Sequence, residues 1–210
     1  MIKKYKKTLI ITSIITISPM LVGLLLWNRL PDMIATHFGS DNTVDGWSSK
    51  PFAVFGLPLM LLAIHLFCVF ATSADPKRKN ISDKFFKWIL WIVPVLSVAA
   101  CLTCYAVSLG VNVDMGMIIN SLVGIVFIIV GNYMHKVKQN YTVGIKLPWT
   151  LNSEENWNRT HRMSSWFWMI AGIIFIVNAI LQIEWLVIPV LVILLLIPIV
   201  YSYLLYRKGI

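Results

Sequence analysis

The chain alternates long apolar runs with shorter polar segments. Six runs carry no Asp, Glu, Lys or Arg and are long enough to cross about 30 Å of hydrocarbon. They are Thr8–Trp27, Pro51–Thr72, Trp88–Leu109, Gly116–Met134, Met163–Gln182 and Trp185–Tyr206. A spanning segment must satisfy its own backbone hydrogen bonds, and these runs lack the two-residue alternation of barrel strands. The pattern therefore predicts an all-α membrane protein with six transmembrane helices.

The composition agrees with a membrane protein, since 58% of the residues are hydrophobic and only 13% are charged. The charge-free runs also weigh against a proton- or ion-coupled transporter, whose sites usually include an ionisable residue inside the membrane. His65 is the histidine that falls inside a predicted helix. It is either a neutral imidazole bonded to a neighbouring helix, or a contact for a proton or ligand.

The net charge of +9 is distributed very unevenly along the chain. With six crossings both termini share one side of the membrane, and that side holds 16 of the 18 Lys and Arg residues, leaving Arg29 and Lys50 opposite. The positive-inside rule places both termini in the cytoplasm. Because topology explains the excess of basic residues, the chain is not expected to bind nucleic acid directly.

Two connections are long enough to carry function. The external one, residues 28–50, contains turn formers and two interface-suited aromatic residues, Phe38 and Trp47, and is expected to be an ordered loop. His37, Asp41 and Asp45 recur every four residues, as metal ligands on a helix would. The turn-rich residues between them argue against a helix, so no metal site and no cofactor are expected.

The internal connection, residues 135–162, has an extended character around Tyr141–Ile145 that Gly144 interrupts. A helix start follows, because Thr150, Asn152 and Ser153 are all suitable caps, and Asn152 with Glu155 fits the spacing of a capping box. The pattern predicts a short interfacial helix that lies on the membrane before the fifth span. This segment is either an anchor for the lipid surface or a docking surface for a partner.

These residues resemble the SdpI/YfhL family of bacterial membrane proteins along nearly the whole chain. Residues 1–109 are similar to the amino-terminal membrane domain of unknown function that often accompanies the family domain, through Leu30-Pro31, His37-Phe38, Asp45-Gly46-Trp47 and Lys50-Pro51. Residues 110–210 are similar to the SdpI domain itself, through Gly131-Asn132, Asn140, Gly144-Ile145-Lys146, Pro148-Trp149-Thr150, Ser153-Glu154, Trp157 and Thr160-His161-Arg162. In this family an Arg is expected where this chain has Lys146, so a bidentate contact is lost while the charge is kept.

The resemblance implies an immunity protein of the bacterial cytoplasmic membrane that resists a secreted toxic peptide. It also implies a signal receptor that holds a small DNA-binding repressor at the membrane. The expected toxin-binding residues in the external loop are His37, Phe38, Asp45, Trp47 and Lys50. The expected cytoplasmic docking residues are Asn140, Gly144, Lys146, Pro148, Trp149, Thr150, Trp157 and His161.

Two other classes of function are set against this hypothesis. A small exporter of a peptide or amphiphile is the alternative, although the chain has no Gly-rich phosphate loop for ATP coupling. An enzyme is not expected, because His37 is predicted outside while His135 and His161 are predicted inside, so these histidines cannot share a site. The sequence shows no nucleophile–base pair.

Overall fold

The fold is mostly helical, and a computed structural model describes residues 2–39 and 42–210. Helix accounts for 72% of the chain. Within the described residues, six helices have the length and apolar character to cross a membrane, which confirms the prediction from hydropathy. They cover Lys6–Leu25, Phe52–Ala74, Asp83–Ser108, Met115–Met134, Glu154–Leu181 and Val187–Arg207.

The first crossing consists of two helices, α1 (Lys6–Ile17) and α2 (Pro19–Leu25). Pro19 is tolerated as the first residue of α2, where the missing N–H would have no helical partner. The second crossing begins with a π-helical turn (Phe52–Gly56) and continues as α3 (Leu57–Ala74). The later elements are α4 (Asp83–Ser108), α5 (Met115–Met134), the short α6 (Pro148–Asn152), α7 (Glu154–Leu181) and α8 (Val187–Arg207).

The chain divides into two compact units that are not simple halves of the sequence. The first unit contains Met1–Ser73 and Phe86–Gly116, and the second contains Ala74–Phe85 and Met117–Ile210. The connector between α3 and α4, residues 74–85, therefore belongs to the second unit, although the helices on either side of it lie mainly in the first.

The first unit has two apolar clusters. The larger one contains Leu30, Ile34, Ala53, Val54, Cys101, Cys104 and Tyr105. The smaller one contains Tyr5, Val69, Phe86 and Leu90. Burial of such side chains in contact with one another holds helices together by close packing, since lipid tails are as apolar as the side chains themselves.

Polar contacts between helices supplement this packing in the first unit. His65 is fully buried, and its Nε2 lies 3.1 Å from Thr12 Oγ1 on α1. The hydroxyl of Ser97 donates to the carbonyl of Thr16 at 2.8 Å. Hydrogen bonds of this kind join helices within the membrane. The contact with Thr12 agrees with the first interpretation of His65, an imidazole bonded to a neighbouring helix.

The second unit depends on a very close approach of α5 and α7. A Cβ added to Gly172 would lie 2.6 Å from the carbonyl oxygen of Gly124, and one added to Gly124 would lie 2.7 Å from the carbonyl oxygen of Gly172. About two helical turns away, Ser165 donates a hydrogen bond to the Gly131 carbonyl at 2.7 Å. Small residues thus allow the two backbones to touch. The apolar cluster beside them contains Ala171, Phe175, Val190 and Leu194.

The structure corrects the prediction for residues 135–162, all of which it describes. α7 runs unbroken from Glu154 to Leu181, so no separate interfacial helix precedes a fifth span starting at Met163. Of the three predicted caps, Ser153 is the one that caps α7, and its Oγ accepts from the Asn156 N–H at 3.2 Å. Residues 141–144 form bends and residues 145–147 have no regular secondary structure, so the expected extended segment is not a strand. The first turns of α7 are polar but still helical, because the backbone hydrogen bonds of a helix do not depend on apolar side chains.

Candidate functional site

The connection 28–50 folds as a β-hairpin, whereas its sequence predicts only an ordered loop. β1 (Met33–Phe38) pairs antiparallel with β2 (Val44–Ser49), with irregular register between Ala35 and Phe38. Near the tip the Gly39 N–H donates to the Thr43 carbonyl at 2.8 Å. The hydroxyls of Thr36 and Ser48 lie 2.9 Å apart across the two strands. Such cross-strand pairs stabilise the hairpin.

The hairpin is fixed to the helices of the first unit along β1 and at its tip. Ile34 is fully buried in the larger apolar cluster. The Ala35 N–H donates to Ser108 Oγ at the end of α4, at 2.9 Å. Near the tip, Asn42 Oδ1 accepts from the Gly116 N–H at 2.6 Å, in the first turn of α5. These contacts hold the hairpin as a rigid element instead of a mobile loop.

Lys50 closes the base of the hairpin. Its ammonium lies 3.2 Å from Asp32 Oδ1, donates to the Trp27 carbonyl at 3.3 Å and sits 5.4 Å from the centre of the Trp27 ring. Only 13% of the Lys50 side chain is exposed. A cation so enclosed between a carboxylate and an aromatic face has a structural role.

Three of the five predicted toxin-binding residues lie together on the exposed face of the hairpin. His37 Nδ1 is 2.5 Å from Asp45 Oδ1, and the two side chains are 74% and 49% exposed. Trp47 is 56% exposed. We call His37, Asp45 and Trp47 the exposed patch. Phe38, in contrast, is half-buried against the larger apolar cluster.

Metal binding finds no support at this face. Asp41, the middle member of the four-residue spacing, lies outside the described residues. In the part of the chain that the structure describes, no three His, Cys, Asp or Glu side chains are grouped as metal ligands. The contact between His37 Nδ1 and Asp45 Oδ1 is a hydrogen bond between adjacent strands.

In the second unit, Asn140 organises the segment that we call the inner loop, residues 135–147. The side chain of Asn140 is fully buried. Its Oδ1 accepts from the N–H groups of Thr142 at 3.0 Å and Val143 at 2.7 Å, while its Nδ2 donates to the Lys138 carbonyl at 2.9 Å. An amide that bonds its own neighbouring backbone in this way fixes a tight turn.

The inner loop packs on a pair of stacked rings from α7. Trp157 and His161, one turn apart, have ring centres 4.0 Å apart and planes within 21°. Gly144 lies against them with φ +117, a conformation that side chains other than glycine rarely adopt. A Cβ at this position would overlap His161 Nε2 and lie 2.9 Å from the Trp157 ring. Only glycine fits this place.

His161 joins the inner loop to α7 as a neutral imidazole. The Ile145 N–H donates to His161 Nε2 at 2.9 Å, so this nitrogen carries no hydrogen. His161 Nδ1 lies 2.8 Å from the Trp157 carbonyl, which can only accept, so Nδ1 carries the hydrogen. Trp157 Nε1 in turn donates to the Val137 carbonyl at 2.7 Å. Both rings are therefore bound to the loop by directed hydrogen bonds.

Thr150 and Gln139 attach α6 to the inner loop. The Thr150 hydroxyl bonds the Ile145 carbonyl at 2.8 Å and accepts from the Leu147 N–H at 2.9 Å. Gln139 Nε2 donates to the carbonyls of Thr150 at 3.0 Å and Leu151 at 2.9 Å. These bonds satisfy backbone groups at both ends of a helix only five residues long.

Asp75 is a residue that sequence reasoning missed. It is 5% exposed, and its Oδ2 accepts from the Tyr141 N–H at 2.9 Å and from the Thr142 hydroxyl. Further along the connector 74–85, Asn80 Nδ2 donates to the Gln139 carbonyl at 2.7 Å. The connector is thus bound to the inner loop through a buried carboxylate. Its sequence alone shows only an acid and a proline after an apolar run, which is typical of an ordinary turn.

Trp149 links α6 to α8. Its Nε1 donates to Ser202 Oγ at 2.8 Å, and its ring lies 5.5 Å from that of Tyr203 and 6.0 Å from that of Tyr206. The same serine receives a second contact, since Asn156 Nδ2 donates to the Ser202 carbonyl at 3.0 Å. Ser202 was not singled out from the sequence, because a serine within an apolar run is usually a packing residue.

The predicted docking residues are brought together, but most of them face inward. Asn140, Thr150, Trp157 and His161 are buried, Gly144 and Trp149 are half-buried, and Lys146 and Pro148 are exposed. The Lys146 ammonium donates to the Thr142 carbonyl at 3.0 Å. A partner that docks on this segment would therefore contact Lys146 and Pro148, while the buried residues would act by maintaining the shape of the loop.

Comparison with known proteins gives two matching families and one matching curated protein. The SdpI/YfhL protein family matches residues 136–202, which include most of the inner loop, α6 and α7. The domain of unknown function DUF1648 matches residues 14–62, which include the hairpin. The chain is 30% identical over 203 residues to "Immunity protein SdpI" of Bacillus subtilis (strain 168). No solved structure matches the chain.

The match to the curated relative covers 95% of this chain and 96% of the relative, so it extends over both compact units. With its six apolar helices, the chain is a multi-pass protein of the cell membrane. The extent of this likeness and the match over the inner loop and the helices that follow it together show that the chain belongs to the SdpI/YfhL protein family.

Proposed function

We propose that the chain is a membrane immunity protein that protects a bacterial cell against a secreted toxic peptide. The support is its 30% identity over nearly its whole length to a protein named as an immunity protein. Six apolar helices suit a protein that acts where a membrane-active peptide does its damage. The rigid hairpin is further support, because a preorganised, partly exposed surface suits the recognition of a peptide.

The orientation that we propose places both termini in the cytoplasm and the hairpin outside. The positive-inside rule supports it, because 16 of the 18 Lys and Arg residues fall on the side of the termini. With this orientation the inner loop and the connector 74–85 face the cytoplasm. The hairpin then meets a toxin arriving from the medium before the toxin reaches the lipid.

The observation that carries the proposal is a hairpin with one face anchored and the other exposed. Ala35 and Asn42 hold it to the helix ends through directed hydrogen bonds. The exposed patch of His37, Asp45 and Trp47 combines a hydrogen-bonded His–Asp pair with a large aromatic ring. Exposed aromatic side chains on a preorganised support are the usual anchors of a binding surface.

A second part of the proposal concerns signalling through the cytoplasmic face. We infer that the inner loop docks a small DNA-binding repressor, with Lys146 and Pro148 as direct contacts. Their exposure supports this role, as does the hydrogen-bonded framework beneath them. The competing role for Lys146 is attraction to lipid phosphates at the membrane surface. Replacing Lys146 with Glu would weaken both roles, so only a repressor-binding assay separates them.

The test of immunity is protection of a sensitive cell. A Bacillus subtilis strain that lacks its own SdpI should express this chain and be grown with strain 168, and its survival should exceed that of cells with an empty vector. Trp47→Ala should reduce survival, whereas Trp185→Ala, which alters another highly exposed tryptophan, should not. Survival no better than the vector, with the chain present in the membrane by immunoblot, would refute immunity to the toxins of that strain.

A further inference from the structure

We propose that the hairpin captures its toxin by strand addition: a cationic peptide in extended conformation pairs with the outer edge of β2. This inference rests on the proposed immunity function and specifies how the same site works. In this arrangement the backbone of the peptide supplies the hydrogen bonds, and Trp47 supplies an apolar contact beside the added strand.

The hydrogen-bonding pattern of the hairpin shows which backbone groups point outward. At the base, the Lys50 N–H donates to the Asp32 carbonyl at 2.8 Å, so this opposed pair is a hydrogen-bonded one. Such pairs alternate along an antiparallel ladder. The next pair, Met33 with Ser49, therefore directs its N–H and C=O groups away from the partner strand, and the pair of Ala35 with Trp47 does the same.

A direct observation supports this assignment. The Ala35 N–H points away from β2, and it donates to Ser108 Oγ at 2.9 Å. The outer edge of β1 is thus turned toward the helices of its own unit. The matching groups of Trp47 and Ser49 must point in the opposite direction, along the outer edge of β2.

The outer edge of β2 is open to an added strand. Among the described residues the sheet has two strands, and β2 pairs with β1 alone. Trp47 and Ser49 are both exposed. An exposed strand edge is a template for pairing with another chain, and natural proteins usually cover it, shorten it or block it with proline or lysine. This edge carries neither a proline nor a lysine between Val44 and Ser49.

The charge of the outer surface selects the class of peptide. The connections of the first unit on the hairpin side of the membrane hold four acidic residues and two basic ones, a net charge of −2 on a chain whose total is +9. The acids are Asp32, Asp41, Asp45 and Asp114. A surface of this sign attracts cationic peptides and repels anionic ones, by an interaction that salt screens.

Proline substitution tests strand addition directly. Ser49→Pro removes an outward N–H, while the hydrogen bonds between β1 and β2 remain, and proline is tolerated at such a position on an edge strand. The matched control Ser49→Ala keeps the N–H and loses only the hydroxyl. With the same cells grown in culture supernatant of strain 168, Ser49→Pro should lower survival by about tenfold relative to Ser49→Ala, as expected for the loss of one or two hydrogen bonds.

The outcomes separate this inference from the proposed function. If the unmodified chain protects and the proline and alanine variants protect equally, strand addition is refuted while immunity stands. If the unmodified chain gives no protection, immunity fails and the inference falls with it. Chymotrypsin cleavage after Phe38 on intact cells reports whether the hairpin of each variant is folded, since that side chain packs against the larger apolar cluster in the folded state.

Two further variants complete the test. Where Ser49→Pro exposes Phe38 to chymotrypsin, Trp47→Pro compared with Trp47→Ala decides by the same criterion, because the Trp47 N–H also points outward. Asp45→Lys should reduce protection several-fold by reversing the charge beside the edge. Protection by Asp45→Lys equal to that of the unmodified chain would overturn the assignment of a cationic ligand.

Discussion

Gly144→Ala is the substitution whose effect the structure defines most closely. In this variant, alanine must adopt φ +117, a backbone conformation that residues other than glycine rarely adopt, and this strain costs about 1–3 kcal/mol. The methyl group also overlaps His161 Nε2 and lies 2.9 Å from the Trp157 ring. Neither ring can move away from the methyl group without straining a hydrogen bond to the inner loop. Overpacking of this kind costs about 1–3 kcal/mol more, so the total loss of stability is about 2–6 kcal/mol.

Gly110→Ala is the matched control for this prediction. Gly110 also has a positive φ, +81, but an added Cβ there meets nothing within 4 Å. Gly110→Ala therefore costs only the strain of a positive φ in a residue other than glycine, about 1–2 kcal/mol. Thermal unfolding in detergent should show a distinctly larger loss for Gly144→Ala. Trypsin should also cut faster after Lys138 and Lys146 in this variant, because both lie in the loop that the clash displaces.

The comparison of the two glycine variants can refute the packing argument. Equal losses of thermal stability in Gly144→Ala and Gly110→Ala would mean that the stacked rings do not confine the loop. Unchanged trypsin cleavage after Lys146 in Gly144→Ala would lead to the same conclusion.

Three further substitutions test other parts of the structure. Asp75→Asn should cost about 1–3 kcal/mol, since the amide nitrogen cannot accept from one of the backbone N–H groups that the carboxylate serves, and cleavage after Lys146 should accelerate, whereas the exposed control Glu154→Gln should leave both nearly unchanged. Gly172→Leu should prevent the close approach of α5 and α7 and abolish a cooperative unfolding transition in detergent; a transition like that of the unmodified chain would contradict the contact. His65→Leu should lower thermal stability by about 1 kcal/mol without changing protection, and lost protection with toxin binding retained would favour the exporter alternative.

The six crossings are predictable from the sequence because, in lipid, backbone N–H and C=O groups can hydrogen-bond only within the segment, which requires long apolar helices. The ends of the crossings are less predictable, and α7 shows the reason. Hydropathy places its start at Met163, where the charged residues end, but the helix begins at Glu154. Continuation of a helix depends on backbone hydrogen bonds and a cap, here Ser153, and not on apolar side chains.

The hairpin could not be predicted from the sequence because its strands lack a regular alternation of apolar and polar residues. The register between Ala35 and Phe38 is irregular, so apolar residues do not alternate cleanly along β1. Gly46 lies in the middle of β2, where glycine normally argues against a strand. In the folded hairpin this glycine faces His37, whose Cβ would lie 2.7 Å from a Cβ added at position 46. Glycine is needed here because His37 on the opposite strand leaves no room for a side chain, and the sequence alone does not show that these two residues face each other.

The candidate docking residues are recognisable in the sequence as a pattern, but the sequence does not show which of them are exposed. The four-residue spacing of Trp157 and His161 predicts a shared helix face, which the stacked rings confirm. The insertion of Gly144 between the loop and these rings cannot be inferred from spacing. Asp75 lies 66 residues before Tyr141, so their contact depends on long-range packing that one sequence does not reveal.

The division of the chain into units has a consequence for recombination between relatives. The backbone passes from one unit to the other three times, after Ser73, after Phe85 and after Gly116. No single crossover point therefore exchanges one complete unit for another. A chimaera joined at Gly116 would combine the connector 74–85 of one parent with the inner loop of the other, and would separate Asp75 from the partners with which it folds. Loss of protection in such a chimaera would reflect this mismatch and would say nothing about toxin specificity.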